Sequence, residues 1–359
     1  MHQFKSVSAI LVSIIVSIIL AGCGGGGGSD LPAKPKFSSQ VSFGDSLSDV
    51  GSYRVGPIAA AGGGQFTINA ASATPATPIN WTELTAASLG LGACAASTGG
   101  FGVATTSHPG CFGYAQGGAR VTDPAGVGNA SQISGVFVGA MTVPVVQQIA
   151  NHLAAIGNKF SGNELVLVMA GANDVFVQSA IVSASVASSV PPASAVASAV
   201  TAMQLAATQL AADVNTQIIG NGAKYVAVMN IPDIAGTPYA ALTGSAALSD
   251  TLVTAFNAQL KTSLPDSASV LNVDAYAASR DEVLNPGKYL LTNVTTTACN
   301  LAAPSNPLAS SLACNANNLN TGVSPTSHYL FADLVHPTPY GYELFATYVL
   351  QAMTNKGWY

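Results

Sequence analysis

Two short segments far apart in the chain carry the residue types that nucleophilic catalysis needs. The first is VSFGDSLSD (residues 41–49), in which Ser46 follows an apolar run that ends at Phe43. A serine hydroxyl is a weak nucleophile at neutral pH and needs a base within hydrogen-bonding distance. A serine in a turn is also a common helix cap, so the interpretation as a nucleophile depends on finding that base.

The candidate base lies near the other end of the chain. Of the five histidines, His336 has a carboxylate three residues before it, at Asp333, and prolines at 337 and 339 just after it. Pro337 disfavours helical backbone at His336, and Pro339 suits the first turn of a closing helix. On so short a turn Asp333 can accept the imidazole Nδ1–H, which leaves Nε2 free to take the proton of Ser46. The alternative is a capped helix start with a surface histidine.

The two segments together resemble a known enzyme family. FGDSLSDVG, followed much later by DLVHPTPYGYELFA, is similar to the GDSL, or SGNH, hydrolases, in which serine, histidine and aspartate act together. The resemblance implies a glycine block and an asparagine block between them. GYAQGGAR at 113–120 and GAND at 171–174 match these, and the four blocks occur in the family's order.

The glycine block and the asparagine block can supply the hydrogen-bond donors that acyl transfer requires. Negative charge develops on a carbonyl oxygen, and donors must already point at it. The resemblance implies the backbone N–H of Ser46, a glycine N–H and the side-chain amide of Asn173. Gly118 fits the family's glycine best and Gly117 is the alternative. The family usually has Asn in place of Gly113, so one supporting hydrogen bond is expected to be absent or rebuilt.

The elements that must position these residues alternate between strands and helices. Strands are predicted at 38–43, 164–170, 224–230 and 270–274, and helices at 81–91, 143–156, 193–219, 249–264 and from about 339 onward. The second strand is a continuous apolar run, which is typical of a strand buried on both faces of a parallel sheet. The pattern predicts a single three-layer α/β/α domain with a doubly wound, flavodoxin-like parallel sheet. The serine turn lacks the G-x-S-x-G elbow, so the α/β-hydrolase fold is not inferred.

Three segments, 54–80, 92–140 and 292–328, lack clear periodicity and are predicted to be long active-site loops. Four of the five cysteines fall in two of them, at Cys94, Cys111, Cys299 and Cys314. In an oxidising compartment nearest-neighbour pairing, Cys94–Cys111 and Cys299–Cys314, is preferred among the possible connectivities. Each disulfide would fasten one loop.

The N-terminus predicts export. Residues 1–22 contain an apolar run, 7–20, that is too short for a comfortable membrane span and suits a signal peptide. Leu20–Cys23 resembles a bacterial lipobox, which implies acylation of Cys23, a flexible tether over 23–36 and a hydrolase domain over 37–359. By the same resemblance, Gly24 implies sorting to the outer membrane, with the periplasmic or the surface face left open. An ordinary signal peptide with a nearby cysteine is the alternative.

The composition narrows the choice of partner. The chain has 11 basic and 16 acidic side chains and no basic block, so a nucleic-acid partner is not expected. No C-x-x-C spacing indicates zinc, and no metal or cofactor is implied. A monomer is expected.

The predicted function is hydrolysis of carboxylic esters, of acyl lipids or small molecules, through an acyl-enzyme on Ser46. An acyltransferase or a polysaccharide O-deacetylase could use the same residues. A third alternative is a non-catalytic binding lipoprotein of the cell envelope.

Overall fold

A computed structural model describes residues 34–70, 79–129, 132–133 and 135–359. The predicted signal peptide and Cys23 lie outside the described residues. The strands are β1 (Ser39–Gly44), β2 (Ser97–Gly100), β3 (Val103–Ser107), β4 (Gln132–Ile133), β5 (Val136–Phe137), β6 (Glu164–Met169), β7 (Tyr225–Met229), β8 (Val270–Val273), β9 (Asn293–Thr297) and β10 (Tyr329–Phe331). The helices are α1 (Gly56–Ala60), α2 (Trp81–Ser88), α3 (Val145–Ala155), α4 (Ala172–Ala187), α5 (Pro192–Asp213), α6 (Pro238–Thr243), α7 (Ala246–Ser263), α8 (Ala275–Leu284) and α9 (Pro339–Asn355).

A parallel sheet in the order β1-β6-β7-β8 forms the centre of the fold. These are the four strands that the sequence predicts, and each end lies within one residue of its predicted position. In β6 every residue after the first is buried, because helices cover both faces of the sheet. The prediction of a three-layer α/β/α fold is confirmed.

A fifth segment lies beside β1 and was predicted to be loop. The N–H of Ser42 donates to the carbonyl of Phe112 at 3.0 Å, and the N–H of Tyr114 donates to the carbonyl of Ser42 at 2.8 Å. This segment runs parallel to β1, so the sheet takes the flavodoxin-like order, in which the second strand flanks the first on its outer side. It leads directly into the glycine block at the carboxyl edge of the sheet.

The strands alternate their side chains between two cores. On one face, residues such as Val166 and Val168 pack with α3, α5 and α7. On the other face, Leu165 and Leu167 pack with α2 and α9. Because successive residues of a strand point to opposite faces, one continuous apolar run supplies both cores.

Helix α5 continues as a π-helical turn, Val214–Ile219, and covers the predicted helix 193–219. By length and composition this helix could cross a membrane, but Met203 and Leu210 are fully buried in the core that α5 forms with the sheet. Its apolar face therefore packs within the domain. Helix α4 is not predicted by the sequence pattern, because its buried face includes Asn173, Asp174 and Ser179 and so lacks a continuous apolar stripe.

Two disulfides close two of the long loops. Cys94 is bonded to Cys111 with their Cα atoms 5.1 Å apart, and Cys299 to Cys314 with theirs 6.0 Å apart. This is the nearest-neighbour pairing. Disulfides persist in oxidising compartments, so both bonds fit an exported protein.

Candidate active site

Ser46, His336 and Asp333 form a continuous hydrogen-bonded row. The Oγ of Ser46 lies 2.8 Å from Nε2 of His336, and Nδ1 of His336 lies 2.8 Å from Oδ2 of Asp333. Ser46 and Asp333 are buried, and the side chain of His336 is 13% exposed. The structure thus brings together the two sequence segments on which the prediction depends.

Ser46 lies in a tight turn just beyond the carboxyl end of β1. Strand β1 ends at Gly44, where a Cβ atom would collide with the carbonyl of Met169 on the neighbouring strand. The N–H of Leu47 donates to Oδ1 of Asp45 at 3.1 Å and fixes the turn. The backbone N–H of Ser46 makes no hydrogen bond to any residue that the structure describes.

Asp45 itself is buried beside the nucleophile. Burial raises the pKa of Asp45 to about 7, although the N–H of Leu47 and the nearby His336 oppose the shift. Its second carboxyl oxygen, Oδ2, is buried without a hydrogen-bond partner among the described residues. Asp45 therefore acts as an acceptor within the turn, and it makes no hydrogen bond to the Ser46 hydroxyl.

Asp333 is held by backbone donors from two segments. The N–H groups of Val335 and His336 donate to Oδ1, at 3.0 and 2.8 Å, and the N–H of Ser311 donates to Oδ2 at 2.8 Å. Burial alone would raise the pKa of Asp333, but the neighbouring His336 and these hydrogen bonds hold it below its ordinary value. An ionised Asp333 fixes His336 in the tautomer that carries its proton on Nδ1.

The loop before α2 covers the imidazole. The ring of Phe66 lies 4.9 Å from the His336 ring, measured between centroids. The hydroxyl of Tyr342, on α9, donates to the carbonyl of Phe66 at 3.2 Å. These contacts limit the rotation of His336 away from Ser46.

The two adjacent glycines of the glycine block differ in their hydrogen bonds. The N–H of Gly117 donates to Oδ2 of Asp49 at 2.9 Å, and the carbonyl of Gly117 accepts from the hydroxyl of Tyr53 at 2.7 Å. The N–H of Gly118 has no acceptor among the described residues. Gly118 has a φ of +81°, and a Cβ atom there would collide with the carbonyl of Val127, so glycine is required. The geometry favours Gly118 over Gly117 as the donor to a carbonyl oxygen.

Asn173 is tied to the glycine block by its side chain. Its amide nitrogen donates one hydrogen to the carbonyl of Ala119 at 3.0 Å. The next residue, Asp174, accepts from the N–H of Val121 at 3.0 Å and from Nε of Arg120 at 2.9 Å. These hydrogen bonds tie the start of α4 to the glycine block. Asn173 lines the cleft that Ser46 and Gly118 line, where its second amide hydrogen is available.

Comparison with known proteins identifies the family. Residues 41–349 match the family described as GDSL-like Lipase/Acylhydrolase, which is most of the chain. The chain belongs to this family. Membership identifies it as a hydrolase of the esterase type, and it confirms the resemblance drawn from the four sequence blocks.

No curated protein matches the sequence of this GDSL hydrolase. Among solved structures it is similar to LAE5, an alpha/beta hydrolase enzyme from the metagenome of Lake Arreo, Spain, with 13% identity and a TM-score of 0.42. The alignment covers 89% of this chain and 96% of LAE5.

Asp49 connects the serine block of this GDSL hydrolase to its glycine block. Its carboxylate accepts from the N–H groups of Gly51 and Ser52 at 2.9 and 2.7 Å, as an aspartate in a turn commonly does. It also accepts from the hydroxyl of Ser52 and, across 68 residues of sequence, from the N–H of Gly117. The sequence gives no sign of this second role, because it depends on how two loops pack.

Gly113, where the family usually has Asn, lies against the first disulfide loop. Its N–H donates to the carbonyl of Cys94 at 2.9 Å, and its carbonyl accepts from the N–H of Ala96 at 2.8 Å. A Cβ atom at Gly113 would lie 2.8 Å from the carbonyl oxygen of Cys94, too close for any larger residue. Backbone pairing with this loop thus takes the place of a side-chain hydrogen bond.

An open cleft of 510 Å³ leads from solvent to Ser46. Its walls include Phe66, Phe101 and Leu312, and its floor includes Gly118 and His336. Within the described part of the chain, no three His, Cys, Asp or Glu side chains are grouped so that they could hold a metal ion.

Proposed function

We propose that this protein hydrolyses carboxylic esters through an acyl-enzyme on Ser46. The observation that carries the proposal is the hydrogen-bonded row Ser46–His336–Asp333 at the floor of a cleft that Gly118 and Asn173 also line. A nucleophile, a base with a fixed tautomer and unpaired donors around one point are the parts that acyl transfer needs.

In the proposed reaction, His336 Nε2 takes the proton of Ser46 as Oγ attacks the ester carbonyl carbon. The carbonyl oxygen, now negative, accepts hydrogen bonds from the backbone N–H groups of Ser46 and Gly118 and from the amide of Asn173. His336 then gives its proton to the departing alcohol, and the acyl group stays on Ser46. Water, activated by the same imidazole, releases the acid and restores the hydroxyl.

The burial of the site supports each of these roles. Asp333 has a lowered pKa and stays ionised, so it can stabilise the imidazolium that forms in both halves of the reaction. Asn173 and Ser46 are buried, and hydrogen bonds to a developing charge are stronger where water is excluded.

The test is hydrolysis of short p-nitrophenyl esters by the purified protein and by Ser46→Ala. We expect Ser46→Ala to lose at least about 10⁴-fold in kcat, because removal of the nucleophile in such a site costs this much or more. A fluorophosphonate probe should label the unmodified protein at Ser46 and leave Ser46→Ala unlabelled. Esterase activity that persists in Ser46→Ala at the original rate would disprove the proposal.

The lipid anchor also remains a proposal. Acylation of Cys23 would hold the enzyme at a membrane surface, and mass spectrometry of the protein purified from membranes would detect it. A Cys23→Ser variant that still sediments with membranes would contradict it.

A further inference from the structure

A second and smaller cavity adjoins the cleft at Ser46 and His336, which line both. We call it the inner pocket. It has a volume of 90 Å³ and is lined mainly by apolar side chains, among them Met169 of β6, Phe331 of β10 and Phe345 of α9. This volume is below the roughly 150 Å³ of an apolar protein cavity that accommodates benzene, so the group that fits is short.

One wall of the inner pocket carries a carboxyl group. Ala275, Ser279 and Glu282 follow one another at helical spacing on α8, and all three line the pocket. The side chain of Glu282 is buried, with the residue only 7% exposed, and its carboxyl group makes no hydrogen bond to any described residue. By contrast, the adjacent Asp281 lies on the outside of α8 and binds Lys288, Tyr289 and Asn285.

A carboxyl group that is mostly buried and has no protein partner is costly to keep charged and calls for an explanation. Burial, with a smaller contribution from the charge of Asp281, raises the pKa of Glu282 to about 8. At neutral pH the group is therefore mostly protonated, so it can donate as well as accept a hydrogen bond. It can thus pair with either a hydroxyl or a carbonyl oxygen.

The two cavities suit different halves of an ester. The alcohol must leave before water can enter, so it belongs in the open cleft. The acyl group stays bonded to Ser46 until the second half of the reaction and can occupy an enclosed space. Both cavities reach Ser46, Asn173 and His336, but the inner pocket is the smaller and more enclosed of the two, so we assign the acyl group to it.

We propose that the inner pocket binds the acyl group and that Glu282 hydrogen-bonds an oxygen atom carried on it. The preferred substrates are then esters of short hydroxy or oxo acids, ahead of the corresponding plain fatty acids. This inference rests on the proposed esterase function and adds the substrate class.

The test compares matched ethyl esters by titration of the acid released. The pairs are ethyl butanoate with ethyl 3-hydroxybutanoate and ethyl butanoate with ethyl 3-oxobutanoate. We expect kcat/KM to favour the oxygenated member of at least one pair by about tenfold, which is the value of one well-placed hydrogen bond.

Three variants assign the preference to Glu282. Glu282→Leu should abolish it, whereas Glu282→Gln, which keeps a donor and an acceptor of the same size, should retain most of it. Glu343→Leu removes an exposed carboxylate from α9 and should leave the ratio as in the unmodified protein. Thermal unfolding and fluorophosphonate labelling of each variant show that the fold and Ser46 are intact.

Different results would contradict the role of Glu282 and the esterase function. No preference in any pair, or a preference that survives Glu282→Leu, overturns the assignment of Glu282 while the esterase function stands. A protein that hydrolyses no ester and takes no fluorophosphonate overturns the esterase function itself.

Discussion

The two sides of Ser46 are held in place in different ways. On the base side, His336 depends on Asp333, and Asp333 in turn accepts a backbone N–H from Ser311 in the loop closed by Cys299–Cys314. On the oxyanion side, Gly117 and Gly118 depend on the buried carboxylate of Asp49 and on backbone pairing with the Cys94–Cys111 loop.

This difference predicts how a substitution on each side should affect catalysis. In the proposed mechanism the base side works through the charge and the tautomer of one imidazole, so a small chemical change there should abolish proton transfer. The proposed oxyanion side works through the direction of backbone N–H groups, so a comparable change should weaken transition-state binding while attack still proceeds.

The largest effect is expected from Asp333→Asn. An amide in place of the carboxylate allows the wrong imidazole tautomer and gives the imidazolium no counter-charge, so kcat for a p-nitrophenyl ester should fall by about 10⁴-fold. Glu343→Gln, which changes an exposed carboxylate, is the control. A loss of less than tenfold would mean that Asp333 does not orient His336.

A smaller effect is expected from Asp49→Asn on the oxyanion side. The amide cannot accept all four hydrogen bonds, so the Gly117 peptide loses its anchor and Gly118 its direction. Loss of one oxyanion donor costs about 10²- to 10³-fold in kcat, and we expect a value near the lower limit with KM almost unchanged.

Tyr53→Phe is the matched control for Asp49→Asn. It removes the hydroxyl that binds the Gly117 carbonyl but keeps the N–H anchor, so its loss of kcat should be smaller. If Asp49→Asn raised KM and left kcat intact, Asp49 would not act through the oxyanion donors.

The two disulfides allow a direct comparison of the sides. Replacing either pair with serine should lower the free energy of unfolding by about 3 kcal/mol, the chain-entropy value for loops of this length. Both double variants should also lose some kcat at 25 °C. The Cys299→Ser/Cys314→Ser variant should change the pH profile of kcat, because Ser311 is one of the donors that keep the pKa of Asp333 low.

The Cys94→Ser/Cys111→Ser variant should leave the pH profile unchanged, because its loop supports backbone donors that do not titrate. Equal pH profiles for the two double variants would remove the distinction between the sides. Chemical denaturation followed by fluorescence measures the stability of each.

The smallest effect on activity is expected from His152, which packs behind the glycine block against Phe43 and Tyr114. Burial lowers the pKa of His152 to about 4 in the folded protein, only slightly opposed by Glu164. The unfolded chain therefore binds the proton first, so this contribution to stability is complete above about pH 6.5 and is lost as the pH falls toward 4.

The difference in unfolding free energy between the unmodified protein and His152→Gln should decrease across this range by up to about 3 kcal/mol. Other titrating groups cancel in the difference. A difference that stays constant between pH 7 and pH 4 would contradict the lowered pKa.

The sequence predicts the sheet well because burial on both faces leaves an unambiguous pattern. Strand β6 is a run of apolar residues between Glu164 and Gly171, and its ends are predicted within one residue. Ser46, His336 and Asn173 were selected because their residue types and family blocks carry the chemistry. The pattern does not predict helix α4, because its buried residues Asn173 and Asp174 are polar and hydrogen-bond the glycine block instead of packing in the core.

The supports of the site could not be predicted from the sequence. Ser311 contributes only a backbone N–H, which any residue except proline has, so its type carries no information. Asp49 reads as an ordinary turn acceptor, and its bond to Gly117 depends on the packing of two aperiodic loops. The edge segment beside β1 is short, has Gly113 at its centre and pairs through isolated bridges, so its sequence does not mark it as a strand.

The nucleophile and its base are 290 residues apart in the chain. Closing so long a stretch of chain costs conformational entropy, and contacts of this range slow folding. Until His336 lies beside it, Ser46 is an unactivated alcohol. Under the proposed mechanism, an incompletely folded chain therefore lacks esterase activity, and activity appears only when the two segments have met.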